Sequence, residues 1–230
     1  MTLSINKTFV WDGITVNIAL PQDYDKSRPY PAILLNDGQI NYLSKLSPSV
    51  ILIGLISNNR LDDYTPWKAN ALKPGNPDFG GEADSYHQKL FNDILAEIRQ
   101  HYLLDDKRIA YGGYSLGGLA AAYSLYSVCE VPCVFSICGS FWYPGFTDYC
   151  RTQELKNKDY LVYLQNGKTE GANHSNRLSK APFYAAEIHR LIQKEILTTC
   201  SVFDPYGHHE ALKERYAAFS DWLATQWHLD

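Results

Sequence analysis

Residues 109–122 constrain the fold of this chain more than any other stretch of its sequence. They read IAYGGYSLGGLAAA, an apolar, β-rich run that is followed by a helix-forming run rich in alanine and leucine. Between the two runs lies the pattern Gly113-x-Ser115-x-Gly117. A serine on a sharp strand-to-helix turn has strained backbone angles, and side chains two residues to either side would collide with neighbouring elements. The stretch therefore predicts a strand, a tight turn that exposes the Ser115 hydroxyl, and a helix.

A glycine-rich turn with a capping serine, as in nucleotide-binding folds, is the alternative interpretation of this pattern. Two features argue against it, because Ser115 lies between the glycines and no phosphate-loop lysine follows them. In the favoured interpretation, Ser115 is a nucleophile, and the first amides of the new helix point at the carbonyl group that it attacks.

Apolar patterning predicts strands and helices that alternate along the rest of the chain. Two alternating runs within residues 4–20 are separated by Asp12-Gly13, which predicts an antiparallel hairpin at the sheet edge. The other predicted strands comprise residues 32–35, 50–56, 109–112, 134–139, 161–164 and 198–203. The predicted helices comprise residues 84–102 (capped by Asp84), the run after Ser115, and residues 179–194 and 210–227. We therefore expect an α/β fold in one domain, residues 1–230, with a mainly parallel sheet and helices on both faces.

Composition excludes several classes of function. The 230 residues carry a net charge of −4 without charge clusters, which argues against nucleic-acid and anionic-lipid partners. No apolar run reaches membrane-spanning length, and the N-terminus lacks a signal pattern, so we expect a cytoplasmic protein. A secreted protein whose signal peptide has been removed is the alternative, since it would show the same pattern. The five cysteines, which lack metal-ligand spacing, are expected to be buried thiols rather than disulfides or metal ligands. They are Cys129, Cys133, Cys138, Cys150 and Cys200.

A serine nucleophile needs a base, and two candidate histidines follow the last predicted strand. His208 is favoured over His209, because Gly207 gives the preceding backbone the freedom to turn the imidazole over the sheet. The other histidines are less suitable, since they lie on predicted helices, before the last strand or at the terminus. They are His87, His101, His174, His189 and His228.

The base in turn needs an orienting acid, which should follow the strand before the last one. Glu170 lies there, and a solvated loop carboxylate is its alternative role. Asp204 is too near His208 in sequence to reach behind its ring, and Asp148 is a weaker candidate. For the oxyanion we expect two backbone donors: the amide of Leu116, just after the nucleophile, and that of Gln39, in the loop after the first parallel strand.

Several segments together resemble one family. Four segments match the sequence pattern of that family in the same order. They are residues 31–39 (PAILLNDGQ), residues 60–84 with Arg60, the strand-turn-helix segment around Ser115 at residues 107–119, and the C-terminal segment at residues 207–215. The segment Gly167-Lys-Thr-Glu170 also matches. Over nearly its whole length, the chain resembles the putative esterase family of α/β-hydrolases, which includes esterase D, feruloyl esterases and enterochelin esterases. The resemblance favours His208 over His209 and implies an α/β-hydrolase fold.

This resemblance implies a cofactor-free serine carboxylesterase that acts on a small soluble ester, with no metal. A siderophore-type, feruloyl or acetyl ester is compatible with the family. Arg60 is a candidate for pairing with an anionic or catecholic substrate, or else an ordinary surface cation. Two departures from the family pattern, Asn36 and Asp63, are expected to bear on substrate choice.

The segment after Gly139 is short, which predicts an open, shallow site. We expect aromatic residues at its rim, namely Trp67, Phe141, Trp142 and Tyr143, although each could instead be a packing residue. Two other functions remain open. One is acyl transfer to an alcohol, and the other is a hydrolase fold used only for binding. Retention of a serine, an acid and a histidine in the expected order argues against the second. The oligomeric state is not predicted.

Overall fold

A computed structural model describes residues 3–128 and 130–229, and its central feature is an eight-stranded sheet. The strand order is β1-β2-β4-β3-β5-β6-β7-β8. Strands β1, β2 and β4 pair antiparallel, and all other neighbours pair parallel. The strands are β1 (Lys7–Trp11), β2 (Ile14–Ala19), β3 (Tyr30–Asn36), β4 (Ile51–Ser57), β5 (Leu104–Tyr114), β6 (Cys133–Ile137), β7 (Leu161–Gly167) and β8 (Thr199–Asp204). The predicted α/β sheet and its N-terminal hairpin are confirmed.

Helices cover both faces of this sheet. They are α1 (Arg60–Asp63), α2 (Ala83–Gln88), α3 (Leu95–His101), α4 (Leu116–Ser127), α5 (Phe146–Thr152), α6 (Ala181–Glu195) and α7 (Leu212–Trp227). A π-helical segment, Lys89–Ile94, joins α2 to α3, and 3-10 turns lie at Ile40–Leu43 and Arg177–Lys180.

The apolar core consists of two clusters, one on each face of the sheet. In β3, Ala32 and Leu34 belong to one cluster, whereas Ile33 and Leu35 belong to the other. This alternation follows from the two-residue period of a strand, and burial on both faces explains why the run is continuously apolar. Because the β3–β8 strands are parallel, their carboxyl ends share one edge, where polar loops meet.

Three local predictions differ from the structure. Asp84 does not cap a helix, because it lies within the first turn of α2 and accepts a hydrogen bond from the Tyr123 hydroxyl (2.9 Å). The segment after the aromatic run forms α5, and the start of the long loop forms α1. Both helices are shorter than eight residues, so the sequence offers few positions on which a helical period could be recognised.

The cysteines agree with the expected thiols as far as they are described. Cys138 and Cys150 are buried thiols, and Cys200 is a partly buried one. Cys133 is also buried, and Cys129 lies outside the described residues. Among the described residues, no helix combines the length and the apolar character that crossing a bilayer requires.

Candidate active site

The turn between β5 and α4 holds Ser115 in a conformation that non-glycine residues rarely adopt. Its φ and ψ are 58° and −119°, and such angles persist only where the surrounding structure enforces them. The two glycines of the motif face Asn36, since a Cβ on either Gly113 or Gly117 would lie 2.8 Å from the Asn36 Cβ. The motif needs glycine at both positions because β3 passes directly beneath the turn.

Asn36 supports this turn instead of facing a substrate. Its buried amide donates to the Gly117 carbonyl and to the Tyr111 hydroxyl, both at 2.9 Å. Its oxygen accepts a hydrogen bond from the Tyr86 hydroxyl at 2.6 Å. Asp63, the other departure, accepts a hydrogen bond from Ser57. Neither residue lines the cleft that contains Ser115, so the expectation that they bear on substrate choice is not supported.

His208 bridges Ser115 and Glu170. Its Nε2 lies 3.0 Å from the Ser115 Oγ, and its Nδ1 lies 2.7 Å from the Glu170 Oε2. Because an ionised carboxylate can only accept, Nδ1 carries the proton and donates it to Glu170. In the neutral ring, Nε2 is then unprotonated and accepts a hydrogen bond from the Ser115 hydroxyl. This is the arrangement that a general base beside a nucleophile requires.

Glu170 is buried but ionised. Burial opposes its charge, yet the hydrogen bond and charge of His208 lower the pKa of Glu170 below its usual value. The Gly167 amide (2.6 Å) and the Asn166 side chain (3.2 Å) donate to its other oxygen and act in the same direction. The alternative role as a solvated loop carboxylate is excluded, because the side chain is only 4% exposed.

Asn166 connects Glu170 to a second histidine, which the sequence does not identify. The Asn166 oxygen lies 3.0 Å from the His189 Nε2, and the His189 Nδ1 lies 2.7 Å from the Ser201 Oγ. Since the amide oxygen is an acceptor, His189 donates from Nε2 and accepts at Nδ1. His189 and His87 lie on helices, where a solvated histidine is the usual expectation, but both are buried, and burial lowers the pKa of each to about 3.

The loop that carries His208 is fixed from two sides. The Tyr114 ring packs against the His208 ring, with centroids 4.9 Å apart, and the Tyr114 hydroxyl donates to the His208 carbonyl (2.8 Å). Arg215, which is 1% exposed, donates to both oxygens of Asp204 at 2.6 and 2.7 Å and to the His208 carbonyl at 3.3 Å. Asp204 therefore serves as the partner of Arg215, in agreement with its rejection as the orienting acid.

Two backbone amides are available where an oxyanion would form. Leu116 follows Ser115 at the start of α4, and Gln39 follows two residues with left-handed backbone, Asp37 (φ 65°) and Gly38 (φ 68°). Within residues 3–128 and 130–229, neither amide donates a hydrogen bond to another protein group. Amides without a protein acceptor at this edge of the sheet fit the donor role that the sequence predicts for them.

Arg60 is already paired. Its Nε and Nη2 donate to the two carboxylate oxygens of Asp37 at 2.6 and 3.0 Å. Burial disfavours its charge, but the Asp37 hydrogen bonds and charge raise the pKa of Arg60 overall. Arg60 does not line the cleft with Ser115, so the expectation that it binds substrate is not supported. Instead, Arg60 fixes the side chain of Asp37, the residue that directly precedes Gly38 and Gln39.

The cleft has a volume of about 450 Å³, and it contains Ser115, Glu170 and His208 in its wall. Trp142 also lines it, as predicted, and so does His174. Trp67 does not, because it packs against Tyr123, Tyr143 and Tyr149 and donates to the Pro144 carbonyl (2.8 Å). Phe141 and Tyr143 are buried and act as packing residues. The predicted aromatic rim is thus reduced to Trp142.

One group of potential metal ligands lies in the site. Ligand atoms of Cys138, Glu170 and His208 lie within 4.8 Å of one another. However, the Arg215 Nη1 lies 2.7 Å from the Cys138 Sγ, and burial raises the pKa of this thiol, as does the Glu170 charge. A protonated thiol beside a guanidinium is a poor cation ligand. The chemistry of this donor set fits a hydrogen-bonded cluster better than a metal site.

Comparison with known proteins identifies the family. The sequence model of the family described as "Putative esterase" matches residues 10–210. The chain belongs to this putative esterase family. A relative, the "Uncharacterized protein YbbA" of Bacillus subtilis (strain 168), is 30% identical over 170 residues, which cover 66% of this chain and 67% of the relative. The chain is thus an esterase, and its serine-hydrolase site geometry agrees with that assignment.

Solved structures share the fold of this esterase. The BES protein from Bacillus cereus aligns with a TM-score of 0.74 and 17% identity over 97% of this chain and 96% of that one. An IroE-like serine hydrolase from Shewanella oneidensis aligns with a TM-score of 0.75 and 18% identity, over 90% of this chain and 74% of that one. The enterobactin esterase FES from Shigella flexneri aligns with a TM-score of 0.72 and 15% identity, over 98% of this chain and 60% of that one. At these identities the likeness establishes the α/β-hydrolase fold.

Proposed function

We propose that this esterase cleaves a small carboxylic ester through Ser115, His208 and Glu170, by way of an acyl-enzyme. The observation that carries the proposal is the continuous pair of hydrogen bonds, 3.0 Å from Ser115 to His208 and 2.7 Å from His208 to Glu170. These three residues lie far apart in sequence, and their contact has the geometry and the proton arrangement of a nucleophile, a base and an orienting acid.

The chemistry follows from these contacts. The Ser115 Oγ attacks the ester carbonyl carbon while the His208 Nε2 takes the hydroxyl proton. The C–O bond to the alcohol then breaks, and the alcohol leaves with the proton from His208. Water attacks the acyl-enzyme in the same way, with His208 again accepting and returning the proton. Glu170 remains ionised and stabilises the imidazolium.

Leu116 and Gln39 supply the proposed oxyanion hole. Their backbone amides directly follow residues with positive φ, Ser115 before Leu116 and Gly38 before Gln39, so the turns orient the donors before the substrate binds. Loss of one such donor in other enzymes costs about 100- to 1,000-fold in kcat. The pairing of Asp37 with Arg60 neutralises the carboxylate nearest this loop, which would otherwise repel a developing oxyanion.

The substrate is proposed to be a small ester of the siderophore, feruloyl or acetyl type. A cleft of about 450 Å³ lies within the range of roughly 300–1,000 Å³ that small-molecule sites occupy. One protein of the same fold is named as an enterobactin esterase, which keeps a siderophore-type ester among the candidates. Turnover of matched acetyl, feruloyl and catechol-linked esters would rank these classes.

The test is hydrolysis of p-nitrophenyl butyrate by the wild-type protein and two serine variants. Ser115→Ala should lose at least about 10⁴-fold in kcat, as loss of a catalytic nucleophile does elsewhere. Ser140→Ala is the matched control, because it removes a hydroxyl that lies 3.3 Å from that of Ser115. The kcat of Ser140→Ala should stay within about 10-fold of the wild-type value. Unchanged turnover in Ser115→Ala would remove Ser115 from the mechanism.

Acyl transfer is distinguished by the products. With an added alcohol in the assay, a hydrolase releases mainly the free acid, whereas an acyltransferase releases the new ester. Absence of turnover on every ester in the panel, with the fold intact, would instead favour a binding role for the cleft.

A further inference from the structure

A second cavity adjoins the catalytic cleft. It has a volume of about 290 Å³, and Trp142 lines both spaces. Its other walls include the aromatic side chains of Tyr143, Tyr184 and Phe183, the last of which is 64% exposed. The 3-10 turn Arg177–Lys180 joins the two spaces, because Leu178 lines the catalytic cleft and Arg177 lines the second cavity.

The guanidinium of Arg177 is held in place by uncharged groups. It lies 5.4 Å from the ring centroid of Trp142 and 5.9 Å from that of Phe79. Its Nη2 donates to the Asn70 carbonyl at 2.6 Å. Among the described residues, no carboxylate forms an ion pair with it. Burial lowers the pKa of Arg177, with only Tyr143 acting in the opposite direction.

The other charges of this cavity balance each other. Arg151 pairs with Asp148 at 2.9 Å and with Glu187 at 3.0 Å, and Arg190 also pairs with Glu187 at 2.8 Å, so two cations face two carboxylates. Arg177 therefore leaves one uncompensated positive charge in an aromatic cavity that adjoins the catalytic cleft. A guanidinium oriented by ring stacking, with most of its five N–H donors unused by the protein, can bind a carboxylate through two parallel hydrogen bonds.

We propose that the second cavity is a subsite for an anionic group of the substrate, a carboxylate bound by Arg177. This inference rests on the proposed function, since it places the anion on the ester that Ser115 attacks. Because Trp142 lies between the two spaces, the carboxylate must be separated from the scissile ester by an aromatic or similarly long apolar spacer. The substrate class is thus a monoester of an aromatic dicarboxylic acid or an ester of a carboxylate-bearing aromatic alcohol.

A charge-isosteric pair of substrates tests this on the wild-type protein. The 4-carboxybenzyl and 4-carbamoylbenzyl esters of butyric acid differ in charge but hardly in shape, and monomethyl terephthalate with its carboxamide counterpart places the anion on the acyl side. Initial rates are followed by pH-stat. In at least one pair, the carboxylate ester should have a KM about 10-fold below that of the carboxamide, the scale of one charge-assisted contact. Its KM should rise with added NaCl, because salt screens exposed charges.

Variants identify the residue responsible. Arg177→Gln should raise the KM of the favoured carboxylate ester about 10-fold and leave the carboxamide ester within about 2-fold. Arg177→Lys should have a KM for the carboxylate ester between those of wild type and Arg177→Gln, because lysine keeps the charge but lacks the planar guanidinium with its two parallel donors. Arg99→Gln is the control, since it removes an equal charge from an arginine that is 40% exposed and lines neither cavity.

Two results would overturn the subsite. One is that the wild-type protein has equal KM values for the carboxylate and the carboxamide ester in both substrate pairs. The other is that Arg177→Gln raises the KM of the carboxylate ester and that of the carboxamide ester by the same factor. If p-nitrophenyl butyrate is still hydrolysed in a Ser115-dependent manner in either case, only the subsite fails. If that hydrolysis is absent or does not depend on Ser115, the proposed function itself fails.

Discussion

The side-chain amide of Asn166 lies 3.2 Å from the Oε1 of Glu170, and it ties the acid of the proposed triad to the buried His189. The amide orients the carboxylate from the side opposite His208. Because Asn166 is 2% exposed, no water replaces it readily. Its contribution to catalysis can therefore be measured separately from that of the triad.

Asn166→Ala should lower kcat about 10-fold and leave KM within about 2-fold, because it removes one donor that keeps Glu170 ionised and oriented. The kinetics of p-nitrophenyl butyrate hydrolysis measure both values. Asn157→Ala, in an exposed loop, is the control and should match wild type. A change confined to KM in Asn166→Ala would contradict the positioning role.

Glu170→Gln should reduce kcat/KM by about 10²- to 10⁴-fold, as loss of the orienting carboxylate does in related triads. Both carboxylate oxygens of Glu170 accept hydrogen bonds, one from His208 and the other from the Gly167 amide, so a glutamine with a single oxygen leaves one of these donors unsatisfied. Glu210→Gln is the matched control, since Glu210 lines the same cleft and accepts from the Gly207 amide (2.7 Å), a bond that glutamine can keep. Equal activity of the two variants would remove Glu170 from the mechanism.

The buried histidines predict how stability depends on pH. Burial lowers the pKa of His87 and of His189 to about 3, whereas an unfolded histidine has a pKa of about 6.5. Between these values the unfolded chain takes up protons that the folded chain does not, so the free energy of unfolding falls as the pH falls. Each histidine should contribute a slope of about 1.4 kcal/mol per pH unit below pH ~6.

Urea unfolding at pH 7, 6, 5 and 4 measures this slope. His87→Gln should reduce it by about 1.4 kcal/mol per unit, whatever its effect on stability at pH 7. His101→Gln is the control, because that side chain is 47% exposed and should alter the slope much less. A slope that His87→Gln leaves unchanged would mean that His87 is protonated in the folded protein.

Mutation of Arg215 should lower the free energy of unfolding strongly, because Arg215 forms a buried ion pair with Asp204. Arg215→Met leaves Asp204, which is 12% exposed, without its partner and removes a donor to the His208 carbonyl. Removing one partner of a buried ion pair costs about 3–5 kcal/mol. Arg99→Met, in the exposed pair with Asp106, should cost less than about 1 kcal/mol. Similar unfolding free energies for both variants would contradict the structural role of Arg215.

Local sequence signals account for much of the fold. The glycine spacing around Ser115 and the Asp-Gly pair predict turns whose geometry depends on a few adjacent residues, and both turns are present. Continuous apolar runs predict buried strands because both faces of a parallel sheet are covered. The contact between Ser115, His208 and Glu170 also follows, since parallel strands bring their carboxyl ends to one edge.

The choice of partners could not be predicted in the same way. Arg60 is assigned to substrate from its position in a motif, but its guanidinium pairs with Asp37, 23 residues earlier, once β3 and β4 lie side by side. His189 is buried because α6 packs that side of the helix onto the sheet, where Asn166 and Ser201 meet its ring. Such contacts depend on tertiary packing, which one sequence does not reveal.

The most direct test of the account is covalent labelling of Ser115 by phenylmethanesulfonyl fluoride, measured by intact-protein and peptide mass spectrometry in three proteins. Wild type and His209→Ala should each acquire one label per chain, at Ser115. His208→Ala should be labelled at least about 10³-fold more slowly, because the His208 Nε2 is the basic group that contacts the Ser115 Oγ. Labelling of another residue, or slow labelling in His209→Ala with normal labelling in His208→Ala, would contradict the proposed triad.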